Sequence, residues 1–384
     1  MSAVDLVSPA VEDSERPTWR AAYYLVVAWL IVELTIWVLA WAIGSFATPD
    51  RAWLSLPRSP VDVLSTWDGG HYATIARYGY STVGAEAREF SFFPLLPIVS
   101  RLLGGAEHAV LAGILLNQLC LLVSILLIGK LVEDGRPAQL FREPGFWMLV
   151  TPVGFFFSVY YAESLLLLLS LLLVIAYQRK RIGWACLAGV LAGLTRPTAV
   201  CLPALFLPDL IGRLRRREPL IGTLACAAAP LVGIVLYLSY VGWRNADPLA
   251  YIHLRNHWWT HAWTLPFQPL LDDLRRFPIE WRWERWEWMW VRLASSVCIL
   301  ALIVWGWRKI DPAFSTYLVI AFLFIHSQEP ATGTARFELV LFPVFLLLSR
   351  LMAGRPILAW TFACLCIAAQ VFYFYLFATW IWVA

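Results

Sequence analysis

Apolar residues run in long blocks along this chain, near positions 21–46, 109–128, 146–178, 184–211, 220–241, 288–307, 313–326, 337–349 and 356–383. A helix needs about 20 such residues to cross a ~30 Å hydrocarbon core, so the pattern predicts an all-α polytopic membrane protein. Two blocks are too long for one crossing each. At ~1.5 Å per residue, 146–178 would make a helix of about 50 Å and 184–211 one of about 42 Å. Polar residues interrupt both, at Tyr160–Tyr161–Ala162–Glu163–Ser164 and at Thr195–Arg196–Pro197–Thr198. Proline and charge inside such blocks predict a broken helix or a short hairpin.

Cytoplasmic loops of membrane proteins carry an excess of Lys and Arg. With a cytoplasmic N-terminus and both long blocks folded back, the basic loops at Lys130–Arg142, Arg179–Arg181, Arg213–Arg217, Arg308–Lys309 and Arg350–Arg355 all fall inside. A single crossing by each long block would leave Arg179–Arg181 outside. The folded-back reading gives about eleven transmembrane or half-spanning helices in one integral membrane domain over 1–384, with the C-terminus outside. Asp68, His71, Glu89, Glu163, Arg196, Glu329 and Arg336 then share the outer face. Two long outer loops remain, a helical first loop at 47–107 and a Trp-rich loop at 242–287. Asp5, Glu12, Asp13 and Glu15 precede the first block. A secretory signal would start basic, so that block is expected to be a retained span.

Composition agrees with the pattern. The chain has 384 residues, 60% hydrophobic and 15% charged, where a soluble domain has about 25% charged residues. All seven cysteines fall inside apolar blocks, which predicts small buried hydrophobes and neither a disulfide framework nor a cysteine zinc site. A net charge of +4 is explained by the basic loops, and nothing indicates nucleic-acid binding.

Several polar groups need a reason. Asp68 stands before Gly69–Gly70 and a helical stretch from His71 to Tyr78. It reads as a helix N-cap or as a general base at the membrane surface, and a capped helix end would hold such a carboxylate rigidly. Glu89 leads a short segment with Pro94 and Pro97 that cannot span; the segment is expected to be interfacial or re-entrant, and Glu89 reads as a solvated charge or as a supporting acid. Arg196 and Arg336 are costly among apolar residues. They pair structurally with Glu163 or Glu329, or they bind an anionic group, for which phosphate suits a guanidinium. His253, His257 and His261 repeat at four-residue spacing, with Arg255, Trp258, Trp259 and Trp263 interleaved. An aromatic interfacial helix touching a lipid phosphate or a sugar fits this better than a metal site. Trp281–Trp290 reads as an aromatic belt. The chain has no Walker loop, dinucleotide fingerprint or HExxH motif, which argues against nucleotide-driven transport and a soluble nucleotide-sugar domain.

Taken in order, these elements resemble the PIG-V-like mannosyltransferases (GPI mannosyltransferase II-like), within the C-type glycosyltransferase superfamily. The matching pieces are Trp67–Asp68–Gly69 with Tyr72, Ile75–Ala76 and Gly79–Tyr80; Phe92–Phe93–Pro94 to Pro97; Tyr161–Ala162–Glu163–Ser164; Thr195–Arg196–Pro197; and Arg336–Phe337 before Leu341–Phe342–Pro343. The resemblance implies a polyprenyl-phosphate sugar donor, with mannose as the sugar on the strength of the resemblance alone, and an inverting hexosyl transfer by direct displacement. It implies a lipid, glycan or protein acceptor and a bacterial cell membrane with the active site facing outside. Asp68 would be catalytic. His71, Arg196, Arg336 and His257 would bind the donor phosphate or substrate, with Glu89 and Glu163 as supporting acids. No cofactor or metal site is assigned, and a divalent cation is left open. The competing expectation is a transporter or flippase of lipid-linked sugars, since broken helices also mark transporters; here the breaks cluster at one face and no internal repeat is visible.

Overall fold

The apolar blocks form helices where the chain lacks proline and charge, and they break where it has them. The computed structural model describes residues 18–47, 58–131, 140–259, 262–276, 283–329, 333–381 and 383. Among the described residues, five helices are long and apolar enough to cross a membrane: Trp19–Phe46, Leu95–Leu131, Pro197–Arg216, Ile221–Asn245 and Pro356–Ala378. Shorter apolar helices cover Glu163–Gln178, Ile182–Gly193, Arg292–Gly306, Pro312–Ile325 and Pro343–Met352. Their outer surfaces carry exposed Leu34, Trp41, Leu236, Val304, Leu365 and Phe372. In water so much apolar surface is an aggregation liability, whereas lipid chains accept it. The protein is an integral membrane protein of the all-helical class. Among the described residues, sheet is limited to a two-residue antiparallel ladder, Ala262 opposite Glu329 and Trp263 opposite Gln328.

Both long blocks divide at their polar interruptions. In the first, helix Pro144–Val150 gives way to a 3-10 turn at Gly154–Phe157, and regular helix resumes only at Glu163–Gln178. The irregular backbone between them is buried, and side chains from distant helices satisfy it. Asn117 Nδ2 donates to the carbonyls of Val159 at 2.7 Å and Tyr161 at 2.6 Å, and Gln370 Nε2 donates to that of Leu149 at 3.1 Å. Ser158 Oγ donates to Glu33, a carboxylate buried in the first span, at 2.7 Å. Non-helical backbone at membrane depth persists only when protein groups meet its hydrogen bonds in this way.

In the second block, helix Ile182–Gly193 ends and Arg196 is extended at φ −159°, ψ 151°. A 3-10 segment, Pro197–Phe206, then leads into helix Leu207–Arg216. A tight turn with Lys180 at φ +59° brings Glu163–Gln178 back against Ile182–Gly193.

The first long loop folds into helices Pro60–Val63 and Asp68–Tyr78 and a 3-10 stretch, Gly84–Ser91. Glu89 sits in that stretch. The next helix, Leu95–Ile128, is kinked at Gly105, where φ is +65° and ψ −170°. The kink separates a short entry piece from the span proper. The Trp-rich loop supplies helices Ala250–Trp259 and Gln268–Arg276. Helix Ala250–Trp259 packs on Gly84–Ser91, with Tyr251 edge-on to Phe93 at 5.9 Å, so the two long loops meet. Residues 48–57, 260–261 and 277–282 of these loops, which include His261, Trp281 and Arg282, lie outside the described residues. The cysteines depart partly from expectation: Cys298 and Cys364 are exposed, and Cys186 is only partly buried. They sit on apolar helices whose outward faces are lipid-compatible, so an apolar block does not guarantee burial.

Candidate active site

Asp68 opens helix Asp68–Tyr78, but its side chain does not cap that helix. The cap position is Trp67, at φ +58°, ψ −123°, with no side-chain cap bond. This is a strained conformation for a bulky L-residue, worth on the order of 1–3 kcal/mol. Packing holds it: the indole N–H donates to the Phe377 carbonyl at 3.3 Å, and the ring lies 5.0 Å from that of Trp380. The Asp68 backbone N–H donates to Tyr161 Oη at 3.1 Å, and the Tyr161 hydroxyl donates to the Thr66 carbonyl, also at 3.1 Å. The expected N-cap is therefore corrected. The carboxylate is turned away from its own helix because a stronger partner lies across the fold.

That partner is Arg336, whose Nη1 donates to Asp68 Oδ2 at 2.6 Å. Arg336 sits on the short helix Thr334–Glu338, entered through Gly333 at φ +92°. Its Nε lies 3.2 Å from Glu163 Oε1, and the same Glu163 oxygen accepts a hydrogen bond from Arg196. Asp68, Arg336, Glu163 and Arg196 thus alternate in sign along one chain of ion pairs. Glu163 is fully buried, at 0% exposure. Among the described residues, Arg196 finds its carboxylate in Glu163. The Phe337 ring lies near both guanidiniums, 5.0 Å from Arg196 Cζ and 5.1 Å from Arg336 Cζ, a distance at which the π face attracts cations. The Glu329 side chain lies outside the described residues.

Burial pushes the Asp68 carboxyl upward, but the Arg336 charge, His71, the Arg336 hydrogen bond and Arg196 together outweigh it. The net effect holds Asp68 below the usual carboxylate range. It is ionised at physiological pH, with one oxygen committed to Arg336. Its Oδ1 makes no hydrogen bond among the described residues.

His71 and Glu89 form a pair beside this chain. His71 Nδ1 lies 2.9 Å and 3.1 Å from the two Glu89 oxygens, and its ring stacks on Phe92 at 4.5 Å. Three residues after Asp68 on one helix, His71 lies on nearly the same face. Its partner Glu89 is buried, not solvated as expected, because His71 Nδ1 and the Arg88 guanidinium take the place of water at its oxygens.

Asp68, Arg196 and Arg336 line a cavity of about 140 Å³ with Tyr72, Arg255 and Gln328 also on its wall. That is smaller than the ~300 Å³ lower bound for pockets that take a whole drug-sized molecule, so it suits a reacting end group. Glu163 lies behind this wall. His257 does not reach the cavity. It is exposed, with its ring against Trp258 at 4.8 Å. Helical geometry explains this, because Tyr251 and Arg255 are four residues apart on the face turned to the cavity. His253 and His257 are each two residues from Arg255, about 200° around the helix. His253 instead contacts Asp247 at 2.7 Å.

Sequence reasoning passed over Arg255, Gln328, Tyr251 and Tyr161. Arg255 was visible only as one charge among tryptophans, and Tyr161 only as part of a motif. Among the described residues no three His, Cys, Asp or Glu side chains are grouped to hold a metal ion. No ligand set is therefore named for a divalent cation.

A second, apolar cavity of about 370 Å³ lies on the other side of Thr334–Glu338. Ala335, Glu338 and Leu339 face it, while Arg336 and Phe337 face the polar cavity. Its remaining walls come from the segment 147–153 and from Trp283–Gly306, Pro343–Met352 and Pro356–Ala378.

No family model matches the chain. Over 136 residues it is 31% identical to GPI alpha-1,6-mannosyltransferase 2 of Cricetulus griseus, a match covering 32% of this chain and 26% of that protein. The chain thus spans about a quarter of the curated relative it matches. A solved structure, the archaeal oligosaccharyltransferase AglB from Archaeoglobus fulgidus in complex with an inhibitory peptide and a dolichol-phosphate, aligns over 94% of this chain and 56% of that one. The TM-score there is 0.44, at 12% identity. The protein is an integral membrane protein of helical fold that is similar, over about a third of its length, to a mannosyltransferase.

Proposed function

We propose that the protein is a membrane glycosyltransferase that moves a sugar from a polyprenyl-phosphate donor to a lipid, glycan or protein acceptor. Similarity to a mannosyltransferase makes mannose the sugar of choice. The carrying observation is Asp68, a carboxylate fixed by Arg336 through one oxygen and lining the polar cavity with the other side of its head group. Such a group is built to take a proton at a defined place.

The transfer needs three things. The acceptor hydroxyl oxygen attacks the anomeric carbon as the bond from that carbon to the phosphate oxygen breaks, giving inversion. The hydroxyl proton passes to Asp68 Oδ1. The departing phosphate carries away the electron pair and a developing negative charge, which the cationic wall of Arg196 and Arg336 stabilises. A base held below the usual range is weak, and it suits a hydroxyl that becomes acidic only as the new bond forms. The ion pair fixes its position, which is where much of the rate advantage of a bound base lies. His71, held by Glu89, places its imidazole ring next to Asp68. His257 has no part in this reading.

The apolar cavity supports a lipid-linked substrate, since one short helix separates it from the polar cavity. The positive-inside rule favours placing the site at the extracytoplasmic face, opposite the basic turns near Arg179–Arg181 and Arg213–Arg217. The test is sugar transfer from radiolabelled polyprenyl-phosphate mannose to lipid extract, comparing wild type with Asp68→Asn. Loss of transfer in a folded variant supports the reading, and equal transfer by both removes Asp68 from the chemistry.

A further inference from the structure

Among the described residues, one guanidinium on the polar cavity stands outside the chain of ion pairs. Three guanidiniums line the cavity, those of Arg196, Arg255 and Arg336. Two carboxylates, Asp68 and Glu163, answer them, and both are bound to Arg336 or Arg196. Of the three guanidiniums, Arg255 is the one that these two described carboxylates do not reach. Arg255 holds no carboxylate among the described residues. Its Nη2 donates to the neutral Gln328 amide oxygen at 3.2 Å, which ties helix Ala250–Trp259 to the strand Gln328–Glu329.

Hydroxyl groups on the same cavity are also unsatisfied. Ser91 Oγ, Thr198 Oγ1 and Tyr251 Oη are buried atoms without a hydrogen bond of good geometry among the described residues, the last lying beside the Arg255 guanidinium, and all three residues line this cavity. Buried polar atoms are bonded in the great majority of cases, so each exception asks for an explanation. Three exceptions on one wall, beside an arginine without a counter-ion, share one explanation. They come from separate parts of the chain: Ser91 from the first loop, Thr198 from the break in the second long block, and Tyr251 from the Trp-rich segment.

We infer that Arg255, with the hydroxyls of Ser91, Thr198 and Tyr251, forms the phosphate-binding end of the cavity, distinct from the Asp68–Arg336–Glu163–Arg196 chain that fixes the proton acceptor. The ligand chemistry is a phosphate ester at the head of a membrane lipid. A guanidinium presents its N–H groups as a planar fork that matches phosphate oxygens, and hydroxyls complete the shell as donors. The inference rests on the proposed reading that a lipid phosphate enters this cavity, and it adds a third cation, which binds the phosphate in the ground state, to the Arg196–Arg336 wall that meets the charge developing on departure. Arg196 and Arg336 are neutralised at short range by carboxylates. Arg255 is the cation whose charge an incoming anion meets unopposed.

The experiment compares two probes on the full chain in nanodiscs, undecaprenyl phosphate and the uncharged alcohol undecaprenol. Equilibrium binding is measured for wild type, Arg255→Gln and Arg255→Lys. Wild type is expected to prefer the phosphate. Arg255→Gln is expected to lose roughly 10- to 100-fold in affinity for the phosphate, the range for hydrogen bonds to charged groups, with its affinity for the alcohol unchanged. Arg255→Lys keeps the charge without the fork and is expected to retain most of the preference; it also guards against a folding defect in the Gln variant. Unchanged phosphate affinity in Arg255→Gln, or full loss of preference in a folded Arg255→Lys, overturns the inference while leaving the lipid-phosphate reading in place. A wild type that binds phosphate and alcohol equally overturns both.

Discussion

Glu163 is the point at which the charge network should fail most visibly. It is fully buried, and one of its oxygens serves both Arg196 and Arg336. In Glu163→Gln, Arg336 keeps Asp68 at 2.6 Å. Arg196, only 8% exposed, loses its carboxylate. Removing one member of a buried pair costs about 3–5 kcal/mol, because the remaining charge stays desolvated. At about 2 °C per kcal/mol for a chain of this size, the melting temperature should fall by roughly 6–10 °C. Removing Arg196 as well, in Glu163→Gln with Arg196→Gln, takes away the stranded charge. Replacing a whole buried pair is often nearly neutral, so the double variant should melt above the value expected from adding the two single losses. A thiol-reactive dye in nanodiscs reads the transition, because Cys120, Cys201, Cys226 and Cys366 are buried and become reactive on unfolding. A Glu163→Gln protein melting within about 1 °C of wild type, or a double variant no better than additive, would refute the reasoning.

Two further predictions follow from particular contacts. Transfer activity should keep its acid limb below about pH 4, the ordinary aspartate value, because Asp68 is held lower still. The stability that its ion pair adds is complete above the unfolded-state pKa and is lost as pH falls through the folded one. A pH–rate profile with an acid limb centred at 5 or 6 would contradict this. Gly113 lies directly under the ring of Tyr160, where an added Cβ would collide with the ring and come within 3.0 Å of Ser100 Cβ. Gly113→Ala should therefore cost about 1–3 kcal/mol by overpacking. It should also lower transfer, since Tyr160 adjoins the Tyr161 that anchors Asp68 N–H; wild-type melting and rate in this variant would show that the contact is not tight.

Membrane class and the two helix breaks were legible from the chain because each is a local pattern: apolar block length, and a proline or charge inside it. The fate of Asp68 was not. Its choice between capping a helix and pairing with Arg336 depends on a residue 268 positions away, and local sequence carries no record of that distance. The positive φ of Trp67 was equally hidden, since its support comes from Phe377 and Trp380. Glu33 is an intramembrane acid, but it lies in the long apolar span Trp19–Phe46, which dilutes one charge. The four-residue spacing of His253 and His257 correctly implied a shared helical face. It could not say that the face bearing Tyr251 and Arg255 would be the one turned to the cavity. The direction of a helix is a tertiary fact.

The most direct test of the central claim is the rate of sugar transfer from polyprenyl-phosphate mannose by wild type and by Asp68→Asn, reconstituted at matched amounts with melting temperature checked in parallel. Asparagine keeps the shape and can still accept the Arg336 hydrogen bond, but it cannot take the acceptor's proton. The account predicts measurable transfer by wild type and a loss of about 10²- to 10⁴-fold in the variant, with the fold retained. A folded Asp68→Asn protein that transfers sugar at the wild-type rate would contradict it.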